Sequence, residues 1–225
     1  MNQIRKYSAI LIFTVLFACI FSLSAYAWEP MANFNYWYSN GNDIGYFNSS
    51  SNRKILATTS GGGFSTATLT SYATHAKNAW SSEGNFSVVA SGSDYVIRFT
   101  DITRAAARNG GVPDTAAAYT EYTSKTFIGY ASYLGNKKSV YRISKAKICL
   151  IYDNSNSDYN TSNFSTSKWE AISAHEFGHA VGYMGHDTGS TLFKPSLMNP
   201  YHNNYWDIWR KKSPTTRDLH HMSNI

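Results

Sequence analysis

The stretch AHEFGHAVGYMGHD, residues 174–187, constrains this chain more than any other part of it. His175 and His179 stand four residues apart in a run of otherwise apolar or small residues that includes Trp169, Ala171, Ile172, Ala174, Phe177, Ala180 and Val181. On a helix, side chains four apart lie over one another on one face, so two imidazoles interrupt a surface made for burial. Ser167 and Glu170 have the S-x-x-E spacing of a capping box, which predicts a helix starting at about Lys168. Gly182 ends it. Were the helix to continue, His186 would project in nearly the same direction as His175 but about 10 Å further along the axis than His179. A sharp exit is therefore required, and Gly182 and Gly185 are the two positions that can make it.

Two imidazoles one turn apart can grip a single ion at roughly 2.0–2.1 Å from each ring nitrogen. Glu176 lies beside the pair, where its carboxylate can reach a water on that ion. Two ligands and a base are what metal-assisted hydrolysis needs. The third ligand has several candidates: His186, Asp187, His202, His220 and His221. Zinc peptidases of the thermolysin type use a downstream glutamate, and no glutamate follows Glu176 here. His186 and Asp187 have the right short separation, and His186 is favoured because neutral imidazole is an excellent zinc ligand. His75, His202, His220 and His221 otherwise read as surface or hydrogen-bonded histidines.

The first 27 residues hold a basic start (Arg5, Lys6), an apolar run and the small-x-small sequence AYA ending at Ala27, the layout of a cleaved secretory signal. Ser22 and Ser24 interrupt the run and no second apolar span follows, which argues against a membrane anchor; LFAC only loosely resembles a lipid-attachment site at Cys19. The expectation is a secreted protein with one domain, residues 28–225. The formal charge of +6 falls when the signal's two basic residues leave, and the longest basic run is RKK at 210–212. That excludes nucleic acid as the expected partner and at most suits an anionic cell surface. Cys149, within the apolar KICLIYD, is expected to be a buried, inert thiol. Without disulfides, the domain must rely on its core or on a metal.

NFNYWYSNG (33–41), NFSVVA (85–90), DYVIRFTDI (94–102), KTFIGYASYL (125–134) and AKICLIYD (146–153) read as strands. Leu69, Tyr72, Ala73, Ala76 and Trp80 recur at steps of three and four, predicting an amphipathic helix over about 65–82. TSGGG at 59–63 reads as a loop, and the Gly/Pro/Ala-rich segment 104–122 as a long surface loop. Ser213–Pro214 is the expected start of a short final helix carrying Leu219 and Met222. The predicted fold class is α+β: a twisted mixed sheet packed on two main helices, with FIGYASYL as the edge strand that an extended peptide would join.

These motifs resemble the metzincin signature HExxHxxGxxH with its methionine turn, and most closely the matrixin branch. AHEFGHAVG is similar to a matrixin active-site helix, and PSLMNPY (195–201) to the Met-turn, with Met198 beneath the metal. The resemblance implies one catalytic zinc on His175, His179 and His186, with Glu176 as general base. It also implies a metzincin-like fold whose C-terminal subdomain holds the Met-turn and last helix. Tyr201 is an auxiliary candidate by the same likeness, and Asp187 remains the rival ligand. The chain departs from the signature in having one extra residue before His186, and GGVPD (110–114) has glycine where a cysteine-switch sequence has cysteine. No second zinc is expected, and no motif supports calcium. The implied activity is that of a secreted, monomeric zinc endopeptidase acting on proteins or peptides. Two alternatives stand beside it: an exported protein whose metal site is structural or degenerate, and a metal-independent surface module.

Overall fold

Two long strands run antiparallel as a hairpin, and the second of them carries the rest of the sheet. The structure is a computed structural model, and it describes residues 44–47, 53–133, 136–155 and 160–222. The elements in chain order are β1 (Ile44–Phe47), β2 (Arg53–Ala57), α1 (Thr66–Ala79), β3 (Phe86–Val89), β4 (Ile97–Ile102), α2 (Arg104–Asn109), β5 (Ala118–Tyr133), β6 (Asn136–Ile151), α3 (Thr166–Val181) and α4 (Thr216–Met222). The class is α+β, with a mixed sheet.

The strands run β3-β2-β4-β6 in parallel, and β5 closes the sheet antiparallel to β6. The 16-residue β6 carries two partners on its other side: β4 against Ala146–Ile151 and the short β1 against Val140–Ile143. Parallel strands covered on a face read as continuous apolar runs, and Ile148, Cys149, Leu150 and Ile151 are all fully buried. Cys149 is the buried free thiol expected. The α1 stripe Leu69, Tyr72, Ala73 and Ala76 is buried as its spacing predicts, and Trp80 just beyond it is inaccessible to solvent. The Trp80 indole Nε1–H donates to Ala174 O of α3 at 2.7 Å, fastening the two main helices to one another. Phe86 meets Phe177 edge-on at 5.2 Å, so α3 also reaches the far strand.

The glycine-rich loop TSGGG has a definite purpose. Its amides, with that of Phe64, surround the buried Asp101 carboxylate: Ser60 N at 2.7 Å, Gly61 N at 3.0 Å, Gly63 N at 2.7 Å and Phe64 N at 3.0 Å, joined by the Thr59 hydroxyl at 2.9 Å. Burial opposes ionisation of Asp101, but these donors outweigh it and hold the carboxyl below its ordinary value. An acid with a depressed folded pKa contributes stability that is present above the ordinary carboxylate range and is lost as pH falls through the folded value. Asp101→Asn should lower unfolding stability by about 3 kcal/mol or more, since several buried amides lose a charged acceptor. Urea titrations across acidic pH should show a flatter pH dependence for the variant than for the parent.

Several boundaries differ from the sequence reading. Helix α3 starts at Thr166, capped by Ser165, whose Oγ accepts from Lys168 N at 3.2 Å. The Ser167–Glu170 box does not form, because Glu170 is drawn to Lys212 at 2.8 Å. Helix α4 starts at Thr216: Thr215 and Asp218 cap it reciprocally, Thr215 N donating to Asp218 Oδ2 at 2.7 Å, and Pro214 stands outside. The segment 104–122 contains helix α2 and the start of β5 rather than one loop. The strands β1 and β2 had no signal strong enough to predict them; RKILA is too short for a pattern to show. The strand expected at 33–41 and the signal at 1–27 lie outside the described residues.

Candidate metal centre

Helix α3 is almost wholly buried from Trp169 to Val181, histidines included: His175 is 4% and His179 8% exposed. Gly178, between them in sequence, has no room for a side chain. A Cβ there would stand 2.6 Å from both Met198 Sδ and the Trp80 ring. Beyond Val181 the chain turns sharply at Gly182 (φ 130°), and again at Gly185 (φ 97°), both in the left-handed region that favours glycine. Gly182 N donates to His179 O, and Tyr183 N closes back on Gly178 O at 2.9 Å. The double bend returns His186 to the helix face it had left.

The three imidazoles converge. His179 Nε2 lies 3.1 Å from His175 Nε2 and 3.3 Å from His186 Nε2, and ligand nitrogens of all three fall within 4.8 Å of one another. His175 Nδ1–H donates to Leu197 O at 2.7 Å, and His179 Nδ1–H donates to Tyr183 O at 2.6 Å. A carbonyl can only accept, so each contact fixes the tautomer and leaves Nε2 as a bare lone pair. Two lone pairs 3.1 Å apart repel unless a cation lies between them. Protonation is not the remedy: burial, then the neighbouring histidines, push His175 well below its ordinary value, and burial and His186 push His179 to about 3. Nitrogens bound tetrahedrally at 2.0–2.1 Å would be separated by about 3.3 Å, which is the spacing seen. These residues can hold a metal ion, and three protein ligands leave a fourth position free.

Asp187, the rival ligand, is engaged elsewhere. Its carboxylate is gripped by Arg217 through Nε and through Nη2 at 2.9 Å, and it accepts from Gly189 N at 3.1 Å. Its backbone N–H donates to Met198 O at 2.8 Å. The Ser196–Met198 segment thus serves three masters: Leu197 O orients His175, Met198 O holds the residue after His186, and the fully buried Met198 thioether lies against Gly178. Asp218 of α4 pins that segment in turn, accepting from Leu197 N at 2.9 Å and from the Ser196 hydroxyl.

Glu176 is buried at 6% exposure beside the triad. Burial raises its carboxyl to about 7, against a hydrogen bond from Thr120 that favours the charged form. The Thr120 hydroxyl is shared between Glu176 Oε2 at 2.7 Å and Glu176 O at 2.9 Å. Tyr122, two residues along β5, donates to His179 O at 3.0 Å. Tyr205, from the π-helical turn Asn203–Ile208, stacks on the His175 ring at 4.9 Å and 15°. Nothing local in the sequence marks Thr120, Tyr122 or Tyr205, because each comes from an element remote along the chain.

A cleft of about 400 Å³ opens onto the triad and Glu176, walled by Thr120, Tyr122, Tyr205 and Tyr201. Tyr201 is at its rim, 60% exposed. The β5 residues lining it are Ala118–Thr120 and Tyr122; Phe127–Tyr130 of the FIGYASYL stretch expected at this edge lie further along the strand and do not line the cleft. His202 also lines the cleft but stays outside the triad, packed edge-on against Phe164 at 5.3 Å. His75 Nε2 is hydrogen-bonded to Lys212 O at 2.9 Å. No model of a known protein family matches this chain, and no curated protein matches it either.

Proposed function

We propose that the chain is a secreted zinc-dependent endopeptidase of the metzincin type, similar to the matrixins. The reading is carried by one observation: three imidazoles whose ring nitrogens converge on a common centre beside a buried glutamate, at the floor of an open cleft. Zinc suits this all-nitrogen donor set better than calcium or magnesium, which take oxygen ligands. The order of elements also supports it, with a helix, strands, the histidine helix, a buried methionine turn and a final helix following one another.

His175, His179 and His186 would hold the ion. When bound, zinc supplies a Lewis acid that polarises a carbonyl and acidifies water. The chain's own part is proton handling and orientation. Glu176 accepts the proton of the attacking water at its carboxylate and delivers it to the departing amine nitrogen. A carboxyl held near neutrality is suited to both transfers. Thr120 fixes that carboxylate by occupying Oε2, while Leu197 O and Tyr183 O keep the imidazoles in the tautomer that presents Nε2.

The deciding measurement is metal content together with cleavage of an unstructured protein. One zinc per chain is expected, with proteolysis abolished by a chelator and restored by zinc. Bound zinc without turnover would favour a structural or degenerate site. Absence of any bound zinc would overturn both metal readings.

A further inference from the structure

We propose that the face formed by the Thr191–Lys194 turn and the adjoining basic groove docks reversibly on membranes that carry anionic phospholipid. The turn is tight: Thr191 N donates to Lys194 O and Lys194 N to Thr191 O, both at 3.0 Å. It leaves Leu192 and Phe193 at the tip, 60% and 92% exposed. Phe193 is the most exposed large apolar side chain among the described residues.

Lys194 follows it and lines a groove of about 830 Å³ with Arg210, Lys211, Lys212 and Arg217. Five basic side chains line that groove and no acidic one does. Lys212 and Arg217 are committed to Glu170 and Asp187. Among the described residues, Lys194, Arg210 and Lys211 have no carboxylate within ion-pair distance, so three like charges gather at one groove. The chain entering the groove, WDIWRKK, sets Trp206, Ile208 (59% exposed) and Trp209 directly before these cations, its one acid Asp207 is paired with Lys168, and the Arg210 guanidinium lies over the Trp206 ring at 5.2 Å.

Charge complementarity and the apolar tip together select the partner. A soluble polyanion would satisfy the groove but leave Leu192 and Phe193 in water. An anionic bilayer satisfies both: its phosphates meet the cations, while the two side chains enter the boundary between headgroups and acyl chains, the level that tryptophan also favours. Because Lys194 belongs to both the turn and the groove, tip and cations form one continuous face.

The test uses the full chain with a polarity-sensitive fluorophore attached through Leu192→Cys, which keeps Phe193, in a Cys19→Ser background, Cys149 being buried. Vesicles of phosphatidylcholine with about 30% phosphatidylserine, in about 0.1 M salt, should shift the emission to the blue, and vesicles of phosphatidylcholine alone should not. This local signal reports the turn itself, separately from any membrane affinity of the N-terminal apolar run. Read by the same label, Phe193→Ser should need about tenfold or more anionic lipid to reach half of the parental shift. Lys194→Ala with Lys211→Ala should need about tenfold or more as well. Thermal unfolding of each variant should match the parent. The proposal is overturned by no shift on anionic vesicles, by an equal shift on neutral ones, or by unchanged affinity in folded Phe193→Ser. Binding of inorganic polyphosphate without any vesicle-induced shift would also overturn it, assigning the groove to a soluble polyanion.

Discussion

Replacing Glu176 with alanine should lower kcat/KM for an unstructured protein substrate by about 10²–10⁴-fold, the usual contribution of a positioned proton-transfer group. That corresponds to roughly 3–5 kcal/mol of transition-state stabilisation. Zinc content should not change, because the ion's proposed ligands are the three imidazoles and Glu176 is not one of them. The variant's stability should depend on pH differently from the parent's. In the metal-free protein, burial lifts the Glu176 carboxyl from 4.5 to about 7. For an acid whose folded pKa is raised, stability is lost as pH rises from the ordinary value through the folded one, and alanine removes that loss. Denaturant titration of the metal-free chains at pH 5 to 8, as an approximate window, should therefore show the variant gaining on the parent as pH rises. A folded, zinc-replete Glu176→Ala protein that still cleaves at the parental rate would remove the proposed base from the mechanism.

The second large effect separates the two residues that compete for the third ligand position. His186→Ala should weaken zinc binding by more than about a hundredfold, beyond the usual cost of losing a partner that merely orients a ligand. Asp187→Asn should retain zinc far better. Its damage should fall on the fold, since Arg217 loses a bidentate carboxylate that is 4% exposed. Competition with a chromogenic chelator reads the first quantity and thermal unfolding of the metal-free chain the second. Normal zinc affinity in His186→Ala, with loss in Asp187→Asn, would reverse the assignment drawn from the geometry.

How much of this was legible beforehand follows from the range of the forces involved. The stacking of His175 over His179 needs only helical periodicity, and the α1 stripe from Leu69 to Trp80 is equally local. Helix starts were less legible. Ser165 and Ser167 are both acceptable caps, and the choice fell to Ser165 when Glu170 was drawn 42 residues away to Lys212. Similarly, Thr215 won over Ser213 because Asp218 completes a reciprocal cap and simultaneously holds Leu197. TSGGG was readable as a loop but not as a cradle, since its occupant, Asp101, arrives from β4.

The sequence by itself determined that two histidines and a glutamate share a helix, that the helix must stop at Gly182, and that any third ligand must come after a bend. Those conclusions depend on residues a few positions apart, where backbone geometry alone settles direction and distance. Only the tertiary structure decided that His186 swings back while Asp187 turns to Arg217. Only it brought Thr120 onto Glu176, Tyr205 onto His175 and Leu197 O onto the His175 ring nitrogen. These pairs join β5 to α3 and the bend after α3 to α4, and no spacing rule connects them. They meet because the sheet, the helices and the buried Met198 segment pack in one arrangement, and that packing sets which lone pairs are left facing one another.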